Sequence, residues 1–317
     1  MSGVIPLRLA LVGCGRLAEH GYLPALALVD QLRLVAVADP DPARRARLAG
    51  LAGAAHRPVA AHPELGGLLA AGGVDAVVLA SPAPAHLPDA ELAAAAGLPV
   101  LVEKPPAPDR DGAAALGRLR PAPWVGFNRR FDPGLEALRP TVPARGHVRL
   151  RIQLHYRRQT WQPVAVHDDA LLDLGPHAVD LARWLTGAAA VEVVGARLTA
   201  ERAELHVGLE RAWAHVSLAT DRPHLERYEV VDDRGHRRGR HHLGGLLAGV
   251  QGRLRPGAGP SALVISLARQ LRSFAAAARG EPAPSLGTAA DGLAAMEVLE
   301  AARTSAAEGG RAIRVAR

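Results

Sequence analysis

Of the 38 lysine and arginine side chains in this chain of 317 residues, a single one is lysine, Lys104, and it stands in Glu103-Lys104-Pro105. Either cation serves surface charge and phosphate pairing. Only the lysine ammonium is compact, shifts its pKa readily and can donate or share a proton during a reaction, because the guanidinium stays charged in proteins. Lys104 is therefore a candidate for chemistry. Asp173 and His177 are the next candidates. They stand four apart in a stretch of helical spacing, so both project from one face and can reach one bound molecule. Hydride transfer from a secondary alcohol needs a partner that removes the hydroxyl proton, and histidine suits that role because its ordinary pKa lies near neutrality. Lys104 could hydrogen-bond the same oxygen and stabilise the negative charge developing there. Asp173 would orient the substrate or tune the other two. His167, Asp168, Asp169 and His177 offer nitrogen and oxygen donors, but their spacing matches no zinc motif. No metal is expected, and no nucleophile motif is present.

A second constellation lies near the start. The apolar run Leu7 to Val12 ends in Gly13-Cys14-Gly15-Arg16-Leu17-Ala18, after which alanine and leucine recur at helical spacing. Gly13 permits a tight bend, Gly15 lets backbone approach a pyrophosphate, and Ala18 takes the helix-packing position of the third glycine. The helix start then turns unpaired amides and its positive dipole end toward phosphate. The next apolar run, Leu32 to Ala38, ends in Asp39, 24 residues after Gly15. An acid there accepts hydrogen bonds from adenosine ribose hydroxyls and repels a 2′-phosphate. Pro40 follows where a phosphorylated cofactor would call for arginine, so NAD is favoured over NADP.

The elements that must hold these residues alternate at first. Strand-like runs at Leu7, Leu32, Val74 to Ala80, Pro99 to Val102 and Trp124 to Phe127 are separated by helical stretches from Pro42, from about Pro84 to Ala96 and from Asp109. That order predicts a parallel sheet covered on both faces. Past residue 140 the pattern becomes alternating runs at His147 to Tyr156, Val191 to Leu198, Ala203 to Leu209, Ala212 to Ala219, Leu225 to Val231 and Arg238 to Leu243. They predict a mostly antiparallel sheet. Helices at about Leu172 to Leu185, Ser261 to Ala278 and Thr288 to Ala307 are expected to cover one of its faces, and Gly249 to Pro260 reads as a loop. The expected division is a dinucleotide-binding domain over 1–122 and a substrate-binding and oligomerisation domain over 123–317, with the helix at about 288–307 packing back toward the first.

Composition narrows the classes. With 49% hydrophobic residues the chain can bury a sizeable core. It has no uninterrupted apolar run of roughly eighteen residues and no basic-then-apolar start, so a soluble cytoplasmic protein without membrane partners is expected. Its single cysteine, Cys14, excludes an intramolecular disulfide. A net charge of +7 raises nucleic acid as a partner, but the arginines are dispersed and only three phenylalanines and three tyrosines could stack on bases. No nucleic-acid partner is expected.

Val100-Leu101-Val102-Glu103-Lys104-Pro105, taken with the glycine turn, resembles the glucose-fructose oxidoreductase and inositol dehydrogenase family of NAD(P)-dependent enzymes. Ser81-Pro82 followed by His86 resembles the loop along the nicotinamide, Val125 to Phe131 the segment entering the second domain, and Asp173 to Asp180 the substrate-site helix. Two features depart from the pattern: Ala83 stands for the usual asparagine, and Val166 to Leu172 replaces a glycine-rich approach. The resemblance implies an N-terminal Rossmann doubly wound parallel sheet followed by an α+β domain with an open, mostly antiparallel sheet. It implies cofactor contacts from Gly13, Cys14, Gly15, Arg16, Leu17, Asp39, Ser81, Pro82, His86, Glu103 and Lys104, and catalysis by Lys104, Asp173 and His177. Lys104, Asn128, Arg130, Asp173 and His177 would meet a polar substrate such as a sugar or cyclitol, with a homodimer or homotetramer formed through the second sheet. Arg130, Arg151, Arg157 and Arg158 are candidates for an anionic substituent. Reduction of an imine or a nucleotide-linked keto-sugar is the alternative chemistry, and a dinucleotide-binding regulator without turnover the alternative class.

Overall fold

The computed structural model describes residues 5–53, 58–158, 168–244 and 260–315. His167, the chain start and most of the loop expected at Gly249 to Pro260 lie outside the described residues. Two compact units emerge: Met1–Asp132 with Ser261–Leu293, and Pro133–Pro260 with Ala294–Arg317. The expected ranges 1–122 and 123–317 differ from these in two ways. The first unit runs on through the segment after β6 (Trp124–Val125), and it takes back a later stretch of chain.

In the first unit β1 (Leu7–Val12), β2 (Leu32–Ala38), β3 (Ala60–His62), β4 (Ala76–Leu79), β5 (Val100–Val102), β6 and β13 (Gly287–Thr288) form one sheet in the order β13-β6-β5-β4-β1-β2-β3. Every pairing is parallel except β13 on β6. The central strands are apolar on both faces, and Leu9, Ala10, Leu11, Val77 and Val78 are wholly buried, as a parallel sheet with both faces covered requires. Helices α2 (Pro42–Gly53), α3 (Leu65–Ala71), α4 (Ala83–Ala95) and α5 (Arg110–Arg118) connect the strands.

After the glycine turn a helical run covers 16–26, ending in α1 (Leu23–Leu26) but widening into a π turn over Ala18–Tyr22. Tyr22 in that turn is fully buried. The helix expected over Ser261 to Ala278, here α8 (Ala262–Ala278), does not cover the second sheet. Its stripe of Leu267, Leu271 and Phe274 enters the first unit's core with Leu9, Tyr22 and Val37, and Phe274 meets Trp124 edge-on at 5.8 Å. Helical spacing of apolar residues shows that a face is buried but not against what.

In the second unit β7 (Val148–Arg157), β8 (Val191–Leu198), β9 (Arg202–Leu209), β10 (Ala212–Ala219), β11 (Asp221–Asp232), β12 (Arg237–Gly244) and β14 (Ile313–Arg314) form a sheet in the order β12-β11-β7-β10-β9-β8-β14. Only β10 and β7 run parallel. The short α6 (Pro133–Leu138) precedes it, and α7 (Ala170–Thr186) packs on β7, β9 and β10. Period-2 alternation marks the first halves of β7 and β10: Val148, Leu150 and Ile152 are buried while Arg149, Arg151, Trp213 and His215 stand exposed. α9 (Ala289–Ala307) contributes its first turn to the first unit and the remainder to the second.

Candidate active site

Gly13 adopts φ +90°, and a Cβ placed on it would come within 2.5 Å of the Ser81 nitrogen and 2.6 Å of the Ala80 carbonyl. The turn after β1 is thus pressed against the end of β4, and only glycine fits both the dihedral and the space. At Gly15 the situation is opposite, since a Cβ there meets nothing within 4 Å. The Cys14 amide donates to Asp39 Oδ2 at 2.7 Å and the Asp41 amide to Asp39 Oδ1 at 2.8 Å, so the acid at the end of β2 ties the glycine turn to its own strand. Burial and the Asp39 charge push the Cys14 thiol up to about 12, which keeps it a neutral packing group. Arg45 Nη1 donates to the Asp39 and Pro40 carbonyls, both at 3.1 Å, and Arg44 pairs with Asp41 at 3.3 Å.

These features fit a dinucleotide. Open space above Gly15 leaves backbone bare for a pyrophosphate. Each Asp39 oxygen keeps a lone pair for a ribose hydroxyl beyond the amide it accepts. Ser81 Oγ is buried and meets no partner among the described residues, a polar atom available to a bound group.

Glu103 is 6% exposed at the end of β5. The Tyr22 hydroxyl donates to its Oε1 at 2.5 Å and the Lys104 amide to its Oε2 at 3.0 Å. Burial pushes the Glu103 carboxyl up, opposed by the Tyr22 hydrogen bond, the Lys104 charge and the Lys104 amide. Burial and the Glu103 charge hold the Tyr22 phenol well above its usual range. Glu103 is thus an internal brace under Lys104. His86 is likewise enclosed, 1% exposed in the first turns of α4, its ring nitrogens directed at the Ser81, Pro105 and Pro106 carbonyls.

Asn128 donates from Nδ2 to Ser266 Oγ on α8 at 3.1 Å. Arg130 is buried, 3.1 Å from Asp291 in the first turn of α9 and over the Phe127 ring at 5.6 Å. Both therefore anchor the segment after β6 within the first unit. Asp291 itself exchanges hydrogen bonds with Thr288, a cap on α9.

In the second unit Asp169 caps α7, accepting from the Leu172 amide at 2.7 Å and lying 3.3 Å from Arg303. Asp173 and His177 follow on consecutive turns of α7, His177 only 6% exposed. Tyr156, at the end of β7, donates its hydroxyl to Asp173 Oδ2 in a short hydrogen bond, and Arg158 lies 3.4 Å from the same oxygen. Burial and the Asp173 charge hold the Tyr156 phenol far above its usual range, so it remains a donor. Of the other arginines, Arg151 is exposed 3.9 Å from Glu229 and Arg157 is exposed. Sequence spacing did not reveal Tyr22 or Tyr156, because their carboxylate partners are 81 and 17 residues away and only the fold makes the pairs. Among the described residues no group of three or more histidine, cysteine or acidic side chains could hold a metal ion.

A glycine turn braced by an acid on the next strand, inside a parallel sheet, is the arrangement of a dinucleotide-binding fold. The chain belongs to the oxidoreductase family with an NAD-binding Rossmann fold, whose model matches residues 7–120, and to its glucose-fructose oxidoreductase and inositol dehydrogenase branch. It is 33% identical to the myo-inositol dehydrogenase Hyg17 of Streptomyces leeuwenhoekii over 336 aligned positions, covering 96% of this chain and 98% of that one. With the inositol 2-dehydrogenase of Streptomyces avermitilis it shares 37% identity over 57% of this chain, spanning about half (53%) of that relative's length. The structure of GenD2 from gentamicin A biosynthesis in complex with NAD superposes with a TM-score of 0.81 at 24% identity, covering 100% of this chain and 98% of the other. The scyllo-inositol dehydrogenase from Lactobacillus casei with NAD(H) and scyllo-inositol gives a TM-score of 0.78 at 19% identity over 99% and 100% of the two chains. The family is NAD-binding by its description, and both of these solved structures hold NAD or NAD(H). Among the described residues no helix is long and apolar enough to cross a membrane.

Proposed function

We propose that this enzyme transfers hydride between NAD and a ring hydroxyl or carbonyl carbon of a cyclitol, or of a closely related sugar. The observation that carries the reading is the hydrogen bond from the Cys14 amide of the glycine turn to Asp39 at 2.7 Å, in a chain aligned almost end to end with a myo-inositol dehydrogenase. Bound NAD supplies the nicotinamide carbon that accepts the hydride. His177 takes the hydroxyl proton as the hydride leaves carbon. Lys104 hydrogen-bonds the same oxygen and stabilises the charge that develops on it. Asp173, pinned by Tyr156 and Arg158, keeps a fixed carboxylate for the substrate's other hydroxyls. Asn128 and Arg130, committed to Ser266 and Asp291, support the substrate-binding wall by holding the backbone around them.

The chain acts in the cytoplasm in this reading, with its buried, reduced Cys14 in keeping. The open face of the second sheet, with Trp213 53% exposed, serves self-association into a homodimer or homotetramer.

Nicotinamide absorbance over a panel of inositol isomers, keto-inositols and sugars tests the reading, and turnover on none of them would refute it. Lys104→Arg and Lys104→Met separate charge from the compact ammonium. Both are expected to lose most of the single-turnover rate while folding and binding NAD. An arginine variant that keeps most of its rate removes Lys104 from its assigned role.

A further inference from the structure

The loops that leave the ends of β4 and β5 are the part of the parallel sheet where ligands bind in such folds. The Glu103 amide closes the β4–β5 ladder on the Leu79 carbonyl at 2.8 Å, and beyond that bond the two chains diverge into Ser81-Pro82 and Lys104-Pro105-Pro106. His86 spans the gap. Its Nε2 lies 2.8 Å from the Ser81 carbonyl, and its Nδ1 lies 3.1 Å from the Pro105 carbonyl and 3.2 Å from that of Pro106.

Both ring nitrogens lie within hydrogen-bond distance of backbone carbonyls and the side chain is almost wholly buried; the neutral ring donates from one nitrogen only, on the side its tautomer sets. The ring thus faces backbone on both sides at a position where the sequence resemblance implies a cofactor contact. An imidazole is a rigid plate with its two nitrogens on opposite edges. Set between two loops, it fixes their separation more tightly than a flexible side chain of similar reach. Burial draws its pKa below the usual range against the three carbonyls that raise it, and only backbone groups contribute besides burial.

We infer that His86 is a positioning residue, a strut between the Ser81 loop and the turn after Lys104 that sets where the Lys104 ammonium stands relative to the nicotinamide wall. The inference rests on the role given to Lys104 under the proposed function. It assigns His86 no contact with reacting atoms.

A double-substitution cycle on the full chain tests it, reading single-turnover hydride transfer and NAD affinity for each protein. His86→Phe keeps the ring volume and removes both nitrogens. Its rate is expected to fall roughly tenfold to a hundredfold, the scale at which about 1 Å of misplacement costs rate, with NAD affinity changed by less than about threefold. In a Lys104→Met background the same substitution should change the residual rate by less than about twofold, because there is no ammonium left to misplace. Independent, multiplying losses would overturn the inference, as would a fall in NAD affinity that tracks the fall in rate. A Lys104→Met protein that keeps its rate refutes the Lys104 role, visibly and before the second substitution, and the inference falls with it. Should circular dichroism show His86→Phe unfolded, the cycle is run with His86→Gln, whose amide can donate to a carbonyl on one side but lacks the rigid ring that spans both loops.

Discussion

Asp39 carries two duties with one carboxylate. In the proposed reading its charge meets the adenosine ribose, and its oxygens take the Cys14 and Asp41 amides at 2.7 and 2.8 Å. Asp39→Ala is therefore expected to narrow the preference for NAD over NADP by removing like-charge repulsion. It should also weaken NAD itself, because a buried amide of the glycine turn loses its partner, a loss on the order of 1–3 kcal/mol. Titrating both cofactors by fluorescence reads the two effects separately, and equal affinities in the unmodified chain would defeat the argument. His177 is tested differently. His177→Asn keeps hydrogen-bonding capacity and removes the titrating group, so turnover should drop by roughly a hundredfold to ten-thousandfold with NAD affinity nearly unchanged. Turnover at the original level would remove His177 from catalysis, and loss of the folded state by circular dichroism would assign it to packing.

At the scale of elements, the turn between β1 and the helical run is the least forgiving stretch. Gly13→Ala places a methyl 2.5 Å from the Ser81 nitrogen at φ +90°, a clash of Cβ against backbone that no rotamer relieves. We expect a loss of at least about 2 kcal/mol of stability from strain and overpacking together, with NAD binding abolished, whereas Gly15→Ala should fold normally and lose cofactor affinity alone. Urea unfolding curves compare the two, and a Gly13→Ala protein of unchanged midpoint would refute the close approach. This turn was legible in the sequence because glycine spacing encodes backbone geometry directly. Strands β8 and β10 were legible to the residue, Val191–Leu198 and Ala212–Ala219, since period-2 alternation marks a half-buried sheet. β3 and α3 were not, one being three residues long and the other opening Leu65-Gly66-Gly67, where glycine masks helical spacing. The destination of α8 was hidden for another reason, since its apolar stripe does not name the unit it packs on. Of the site, Lys104, Asp39 and the Asp173–His177 pair stood out by residue type and spacing. Their buried supports, Tyr22 under Glu103 and Tyr156 on Asp173, exist only after folding.

Across the whole molecule the chain passes between its two units three times, at Asp132, Pro260 and Leu293, so neither unit is a single continuous stretch. The cofactor features assigned here, from Gly13 to Lys104, all belong to the first unit. NAD should therefore stabilise the first unit by mass action. At a hundred times its dissociation constant the gain is about 2.7 kcal/mol, which for a unit of this size corresponds to a rise of roughly 5–10 °C in the midpoint of its thermal transition. Calorimetry with and without NAD reads this directly. In Asp39→Ala the same NAD concentration should give a smaller rise, in proportion to the logarithm of the lost affinity measured by titration. His86→Phe, which alters no cofactor contact in our reading, should keep the full rise. A thermal shift that vanishes in His86→Phe while persisting in Asp39→Ala would reverse the assignment of these two residues, making the histidine the cofactor ligand and the aspartate a brace of the turn alone.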